Sequence, residues 1–302
     1  MRAVQIERHG GPEVLHLRKI PDPAAGPGEI LVRAEATSIN PVDVKTRAGV
    51  DRPNPAIGFP MTLGWDLAGT VEAVGDGVTR FRPGDRVVAM SAQIATGLGT
   101  WADLVALPES LAAHAPETVP PVEAACLPLA GLTAVQALEP LRLKEGQRLL
   151  VIGAAGAVGG LAVQLAAASG VAVTGLVSRP GHVQAVLELG AEEATHEPER
   201  LPAGGFDAVL DTAGFAQPDA VADGGRYVSI VPGSLPGFDG RPVDARMNFV
   251  EQSGEQLGEL ARLVEAGDLR LRVAATLRID QIRAAHELFE RGGHLGKICL
   301  TF

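Results

Sequence analysis

Cysteine is scarce in this chain. Its 302 residues include only Cys126 and Cys299. Two thiols are too few for a disulfide framework, and also too few for a structural zinc site built from four thiolates. We therefore expect a reduced protein in which Cys126, set in an apolar helical pattern, is an inert thiol of the core.

The chain also lacks long apolar runs and an excess of positive charge. No stretch reaches the roughly 18 uninterrupted apolar residues of a membrane span, and the first residues, MRAVQIERHGGPEVL, lack the apolar region of a signal peptide. The formal net charge is -10, whereas binding to nucleic acid or to an anionic membrane needs clustered lysine and arginine. We expect a cytoplasmic protein with neither of these partners.

What the sequence does contain is enough apolar material for two domains. Hydrophobic residues make up 46% of the chain. About the first hundred residues are short β-runs broken by glycine and proline, such as EILVRAEAT and DRVVAM, which is typical of a compact antiparallel barrel. From about residue 122, apolar runs such as QRLLVIGA and VAVTGLV alternate with helical patterns, which predicts a doubly wound parallel sheet.

The last segments no longer follow this alternation. The amphipathic helix EQLGELARLVEAG, ended by Gly267, is followed by RVAATLRI, DQIRAAHELFERGG and the strand GKICLTF. We expect this tail to rejoin the first domain. The predicted organisation is therefore a first domain at 1–112, completed by 268–302, and a dinucleotide-binding domain at 113–267.

A glycine-rich turn follows the apolar run QRLLVIGA. When it is aligned with the dinucleotide fingerprint G-x-G-x-x-G, the three positions are Ala154, Gly156 and Gly159. At Gly156 the missing Cβ lets a pyrophosphate approach the helix N-terminus, and Gly159 lets the helix pack tightly on the strand. The alternative is a tight turn without a ligand. The residues predicted to cradle the pyrophosphate are Ala154, Ala155, Gly156, Ala157, Val158 and Gly159.

The end of the next strand indicates which dinucleotide binds. An NAD-preferring fold places an acid there to bind the ribose hydroxyl, but here Ser178 and Arg179 follow the strand and no acid comes before Glu188. An arginine and a serine hydroxyl suit a 2′-phosphate, whereas a carboxylate would repel it. The sequence therefore predicts NADP(H), with a solvated surface arginine as the alternative for Arg179.

Two further strands end in segments that predict cofactor contacts. In doubly wound sheets ligands bind outside the carboxyl ends of the strands. The residues that follow these two strand ends are Thr212, Gly214, Phe215, Val231, Pro232 and Gly233.

Six stretches, in the same order as in the family, resemble the zinc-free, ζ-crystallin-like quinone oxidoreductases of the medium-chain dehydrogenase/reductase superfamily. They are SINPVDVKTRAG (38–49), LGWDLAGTVEAVGDGVTRFRPGDRVV (63–88), AACLPLAGLTAVQAL (124–138), GAAGAVG (153–159), FDAVLDTAG (206–214) and GKICLTF (296–302). The resemblance implies an α/β protein with a GroES-like β-barrel catalytic domain, a Rossmann domain, a cleft between them, and a homodimer.

The sequence departs from the zinc-dependent members of that superfamily. Those members have a catalytic cysteine near position 40, Gly-His-Glu near position 64, and a lobe with four cysteines. This chain has Asn40, then Gly64-Trp65-Asp66, and no such lobe. Because catalytic zinc needs three protein ligands, we expect no metal and no alcohol dehydrogenase activity.

Without a metal, the acceptor must take a hydride readily, as quinones and α,β-unsaturated carbonyls (enones and enals) do. In the family, the counterpart of SINPVDVKTRAG lies beside the nicotinamide. There Asn40 and Lys45 are candidate donors to the acceptor, and Asp43 is a candidate to orient Lys45. Lys45 stands where ζ-crystallin-like proteins have a tyrosine. The alternatives are a helix cap for Asn40, a favourable first-turn charge for Asp43, and a surface lysine.

The resemblance adds five cofactor contacts. Thr133, Met247, Asn248 and Phe249 are expected near the nicotinamide, and His196 is expected on the adenosine side. The alternatives are a helix-interior threonine, a buried edge strand and a solvated loop histidine, respectively. The leading hypothesis is an NADPH-dependent oxidoreductase acting on small quinones or enones. An enoyl-thioester reductase and a non-catalytic NADPH-binding redox sensor are the alternatives.

Overall fold

The computed structural model describes residues 1–51 and 54–302, which form two compact units. The first unit comprises Met1–Leu129 and Glu251–Phe302, and the second comprises Ala130–Val250. The sequence placed these divisions at 112/113 and 267/268 instead. The difference arises partly because the amphipathic helix after residue 253 packs in the first unit.

The first unit contains most of the short strands. Its elements, up to the start of the second unit, are β1 (Arg2–Ile6), β2 (His16–Lys19), β3 (Glu29–Ser38), α1 (Pro41–Ala48), β4 (Met61–Thr62), β5 (Asp66–Val74), β6 (Arg86–Met90), α2 (Gln93–Thr96), β7 (Leu104–Pro108), β8 (Ala112–His114) and α3 (Pro121–Ala124). Helix α4 (Pro128–Leu138) begins in the first unit and belongs mostly to the second. The larger sheet has the order β15 (Val273–Arg278), β16 (Lys297–Thr301), β3, β5, β6 and β8, and β7 also pairs with β3. Strands β2, β1 and β4 form a small sheet in that order.

Strand β3 is the centre of the larger sheet. It pairs antiparallel with β5, and the register shifts twice, as expected of bulges that bend a sheet. Gly69 on β5 crosses so close to β3 that a Cβ there would overlap the carbonyl oxygen of Arg33. The core between these strands is apolar and includes Ile30, Val32 and Leu67.

The second unit is a parallel α/β sheet. Its elements are β9 (Arg148–Ile152), α5 (Ala157–Ala168), β10 (Ala172–Leu176), α6 (Val183–Leu187), β11 (Glu193–Thr195), β12 (Phe206–Asp211), β13 (Val221–Ser229) and β14 (Asp244–Met247). The order β11-β10-β9-β12-β13-β14 is that of a doubly wound dinucleotide-binding fold, which confirms the fold class. The short strand β11 was not predicted, and β14 was foreseen only as the edge-strand alternative for Met247 to Phe249.

The segment after residue 267 returns to the first unit, as expected. It consists of β15 (Val273–Arg278), α8 (Ile282–Arg291) and β16 (Lys297–Thr301), and the preceding helix α7 (Gly254–Ala266), which the sequence assigned to the other domain, lies in the first unit too. Helix α7 ends where Gly267 adopts a left-handed conformation, with φ at 81°. Strand β16 pairs antiparallel with β3, so that Cys299 lies opposite Ser38.

Both cysteines lie in the core of the first unit. Their Sγ atoms are 3.4 Å apart, and both side chains are buried. The hydrogen bond with Cys299 and the burial of the thiol raise the pKa of Cys126 well above its ordinary value. A thiol that stays protonated is a poor nucleophile, which agrees with the expected inert core thiol.

One helical stretch of the described residues, Pro121–Leu141, passes a length and composition test for a membrane span. Of its apolar window, 67% is buried inside the protein. Buried core helices commonly share this pattern, so the stretch is weak evidence for a membrane segment.

The packing of α5 on β9 depends on Gly159. A Cβ at this position would overlap the Gly153 carbonyl oxygen and lie 2.9 Å from the Ala154 Cα, and backbone atoms cannot move aside as a flexible side chain can. We predict that Gly159→Ala lowers the free energy of unfolding by about 1–3 kcal/mol. Gly237→Ala is the control, since its Cβ would meet nothing within 4 Å. Equal urea midpoints for the two variants would contradict this account.

Candidate active site

The parallel register of the second unit brings the carboxyl ends of its strands into one row. Leu176 lies opposite Ile152, which lies opposite Asp211, and the pairing continues to both edges of the sheet. The row across all six strands is Thr195, Leu176, Ile152, Asp211, Ser229 and Met247. The predicted cofactor residues, except Thr133, lie at this row or within a few residues beyond it.

The glycine-rich turn joins β9 to α5 at the middle of the row. Gly156 is the exposed N-cap of α5, and the first amides of a helix have no partner within the helix, so they can bind an anion. The left-handed conformation of the turn falls on Gly153, whose φ is 79°, rather than on Ala154. The tight-turn position therefore lies one residue before the one that the sequence alignment assigned.

Ser178 and Arg179 are exposed just beyond the end of β10. Arg179 precedes a short 3-10 turn, and none of the described residues forms a hydrogen bond or ion pair with its guanidinium. His182, half-buried, lies in the same turn. This end of the sheet therefore offers a guanidinium group, an imidazole and a hydroxyl, all of which can donate hydrogen bonds to a phosphate.

The loop after β12 is held by a carboxylate that the sequence reasoning missed. The Asp211 side chain is fully buried, and its Oδ1 accepts hydrogen bonds from the backbone N–H groups of Ala213 (2.9 Å), Gly214 (2.8 Å) and Phe215 (3.4 Å). The Thr212 hydroxyl donates to the Ile152 carbonyl oxygen at 2.7 Å. Asp211 thus fixes the shape of a loop that contains three of the predicted cofactor residues.

The loops after β13 and β14 are joined in a similar way. Ser229 accepts through Oγ from the N–H of Val231 at 3.2 Å, and its carbonyl oxygen accepts from the N–H of Asn248 at 2.8 Å. Met247 ends the edge strand β14, so the edge-strand alternative is correct for this residue. Phe249, two residues beyond the end of β14, is 69% exposed.

The two remaining predicted cofactor residues differ in their surroundings. His196 is exposed directly after β11, at one end of the row. Thr133 is buried within α4, away from the strand ends in sequence, and its exposed fraction is 6%. Pro232 and Gly233, like Phe215, are exposed, and Gly233 has a φ of 80°.

The three predicted catalytic residues all lie in the first unit, at the start of α1. Asn40 is the N-cap, and the Oδ2 atom of Asp43 accepts a hydrogen bond from the Asn40 backbone N–H at 2.8 Å. Asn40 therefore occupies the capping position, as its alternative has it, and the Asp43 side chain supplies the capping hydrogen bond. Lys45 is half-buried, and no hydrogen bond or ion pair between described residues joins it to Asp43.

The Asn40 side chain enters a buried polar cluster. Its Nδ2 donates to Asp66 Oδ2 at 2.8 Å, and its Oδ1 accepts from the Lys297 ammonium. The same ammonium lies 3.0 Å from Asp66 Oδ2, which the Ser38 hydroxyl also bonds. Sequence reasoning missed Lys297 and gave Asp66 no role. The available signal was a charged residue inside each of the apolar stretches LGWDLAG and GKICL.

Asp43 is the most electrostatically perturbed group in this cluster. It is 1% exposed, and burial raises its pKa from 3.8 to about 8, although the hydrogen bond from Asn40 favours the ionised form. The nearby charge of Asp66 raises the pKa further, and Lys297 opposes this effect. The carboxyl group is therefore mostly protonated at neutral pH.

No group of three or more His, Cys, Asp or Glu side chains suited to a metal ion occurs in residues 1–51 and 54–302. The position of the catalytic cysteine in zinc-dependent relatives is Asn40, whose amide is bonded to Asp66 and Lys297.

Comparison with known proteins agrees with this geometry. Residues 26–117 match the alcohol dehydrogenase GroES-like domain, and residues 182–300 match the zinc-binding dehydrogenase family. The quinone oxidoreductase of Pseudomonas aeruginosa is 33% identical over 316 residues, covering 94% of this chain and 94% of that protein. The 2-methylene-furan-3-one reductase of Solanum lycopersicum is 32% identical, covering 99% of this chain and 79% of that one.

A solved structure extends the comparison to the whole fold. The quinone oxidoreductase of Escherichia coli, complexed with NADPH, superposes with a TM-score of 0.88 and 27% identity over all of both chains. The family matches and the shared fold together show that this protein is an oxidoreductase with a nicotinamide-dinucleotide-binding fold. The chain belongs to the medium-chain dehydrogenase/reductase superfamily, in its quinone oxidoreductase branch.

The raised pKa of Asp43 predicts a pH-dependent stability. Because the folded protein holds this proton up to about pH 8, and the unfolded chain releases it near 3.8, the stabilisation is complete at low pH and is lost as the pH rises across this range. We expect the unfolding free energy to fall by up to about 1.4 kcal/mol per pH unit there. Asp43→Asn removes this contribution. Parallel pH profiles from urea unfolding of the wild type and the variant would contradict the assignment.

Proposed function

We propose that this protein is an NADPH-dependent oxidoreductase that transfers a hydride to quinones or α,β-unsaturated carbonyls and works without zinc. The observation that carries the cofactor assignment is the pair Ser178 and Arg179, exposed at the end of β10 where an NAD-preferring fold has an acid. The NADPH complex of the Escherichia coli relative supports it.

The residues of the second unit fit such a cofactor. The amides at the start of α5 would bind the pyrophosphate, since the N-cap glycine leaves the backbone there open to an anion. Arg179 and Ser178 would bind the 2′-phosphate, with His196 beside the adenosine. Thr133, the loops ordered by Asp211 and Ser229, and the segment Met247 to Phe249 would hold the remainder.

NADPH supplies a hydride when it is bound. Hydride addition leaves the acceptor with a negatively charged oxygen, and one further proton completes the hydroquinone or the saturated carbonyl compound. We assign Asn40 and Lys45 as hydrogen-bond donors to that oxygen, because donors placed where charge develops lower the barrier. Asp43 supports Asn40 through the capping hydrogen bond. The reductase of Solanum lycopersicum named above supports an enone acceptor.

The absence of zinc from the proposed reaction rests on residue identity. Asn40 and Trp65 stand at positions where zinc-dependent members have cysteine and histidine, and the Asn40 amide is already bonded on both sides. By family resemblance we also propose a cytoplasmic homodimer, which sedimentation of the purified protein would test.

Turnover by the purified protein tests the proposed function. We expect NADPH oxidation that depends on an added quinone or enone and persists in protein shown by elemental analysis to be free of zinc. Saturable NADPH binding without turnover of any quinone, enone or enal would favour the redox-sensor alternative. Turnover only with enoyl thioesters would favour that alternative instead.

Reversing the charge at Arg179 tests the cofactor assignment. A carboxylate would face the 2′-phosphate, so we predict that Arg179→Glu raises the KM for NADPH about 10- to 100-fold and changes the KM for NADH much less. The matched control is Arg148→Glu. Arg148 lies at the amino end of β9, so it is at the opposite ends of the strands from Arg179. An equal change for both cofactors would remove Arg179 from the phosphate site.

A further inference from the structure

Lys297 and Asp66 form a buried ion pair that the proposed reaction does not yet use. Lys297 begins β16, close to the end of the chain, and its side chain is 5% exposed beside the fully buried Asp66. Residues 231 positions apart in sequence thus meet on one amide, that of Asn40. Burying two charges is costly, and good geometry together with further hydrogen bonds is needed to offset that cost.

The chemistry of these neighbours fixes the orientation of the Asn40 amide. An ammonium group has only donors, so the atom facing Lys297 must be the amide oxygen. A carboxylate has only acceptors, so the atom facing Asp66 must be the amide nitrogen. An amide flip would place a donor against a donor and an acceptor against an acceptor.

Asp66 is itself held from several sides. Its Oδ1 accepts from the backbone N–H of Leu129 at 2.7 Å, and its Oδ2 accepts from Asn40, Ser38 and Lys297. The carboxylate therefore cannot rotate to follow a displaced amide. One amide hydrogen of Asn40 is bonded to Asp66, and no described residue accepts the second.

We infer that Lys297 and Asp66 are positioning residues that lock the Asn40 amide in one orientation and leave its second N–H as the donor for the acceptor oxygen. This inference rests on the proposed function. A donor held in advance in a buried site loses little energy to reorganisation and acts in a low dielectric.

A double-mutant cycle tests the inference through catalysis. We expect Lys297→Met to lower kcat about 10- to 100-fold with little change in the KM for NADPH, and Lys297→Arg, which keeps the charge, to recover part of the loss. In the Asn40→Ala background the same Lys297→Met change should alter kcat less than about twofold, because the residue that it positions is gone. Additive losses would overturn the inference.

A measurement without turnover separates this inference from the proposed function. Side-chain amide NMR of the wild type should show that one of the two Asn40 amide protons exchanges with solvent much more slowly than the other, because Asp66 accepts its hydrogen bond. In Lys297→Met and Lys297→Arg we expect, respectively, loss and retention of this pattern. Glu290→Gln, which breaks the partly buried pair with Arg47, is the control that should leave it unchanged. An unchanged pattern in Lys297→Met would overturn the locked amide, whereas a wild type without turnover would contradict only the proposed function.

Discussion

The parallel register of the second unit is the constraint on which the cofactor site depends. Strands β9 to β14 end in one row, so segments up to about a hundred residues apart in sequence emerge along a single edge of the sheet. The close approach of Gly159 to Gly153 sets α5 directly on this edge, with its free amides at the row. A shift of one residue in any strand would turn the following loop and its side chains away.

Buried carboxylates hold both units in shape near the proposed site. Asp211 accepts hydrogen bonds from three backbone N–H groups of the loop that follows β12. Asp66 accepts hydrogen bonds from a helix N–H, a hydroxyl, an amide and an ammonium group. A buried charge is tolerated only when such donors replace water. The donors that offset the desolvation of the two aspartates are therefore held in fixed positions, and this fixes the geometry of the loop and of the side chains.

Local patterns in the sequence were enough to predict the alternation of strands and helices, the glycine-rich turn, and the return of GKICLTF to the first unit. The predicted boundary at 267/268 differs from the division between the two units, which precedes α7, because an amphipathic helix shows which face is buried but not against which sheet. The Asp66–Lys297 pair escaped notice because its members are distant in sequence and each looks like an isolated charge. The tight-turn position was assigned to Ala154 rather than to Gly153, because the spacing of the fingerprint does not reveal which residue takes a positive φ. Asp211 was missed for a similar reason: its partners are backbone amides, which no residue pattern displays.

Calorimetry with the wild-type protein tests the central claim most directly, since it compares two ligands that differ only in the 2′-phosphate. Because Arg179 and Ser178 are exposed at the end of β10 with no acid beside them, the proposed function predicts that NADPH binds more tightly than NADH. One charge-assisted contact corresponds to a ratio of dissociation constants of about tenfold or more. Equal affinities for the two dinucleotides would contradict the account.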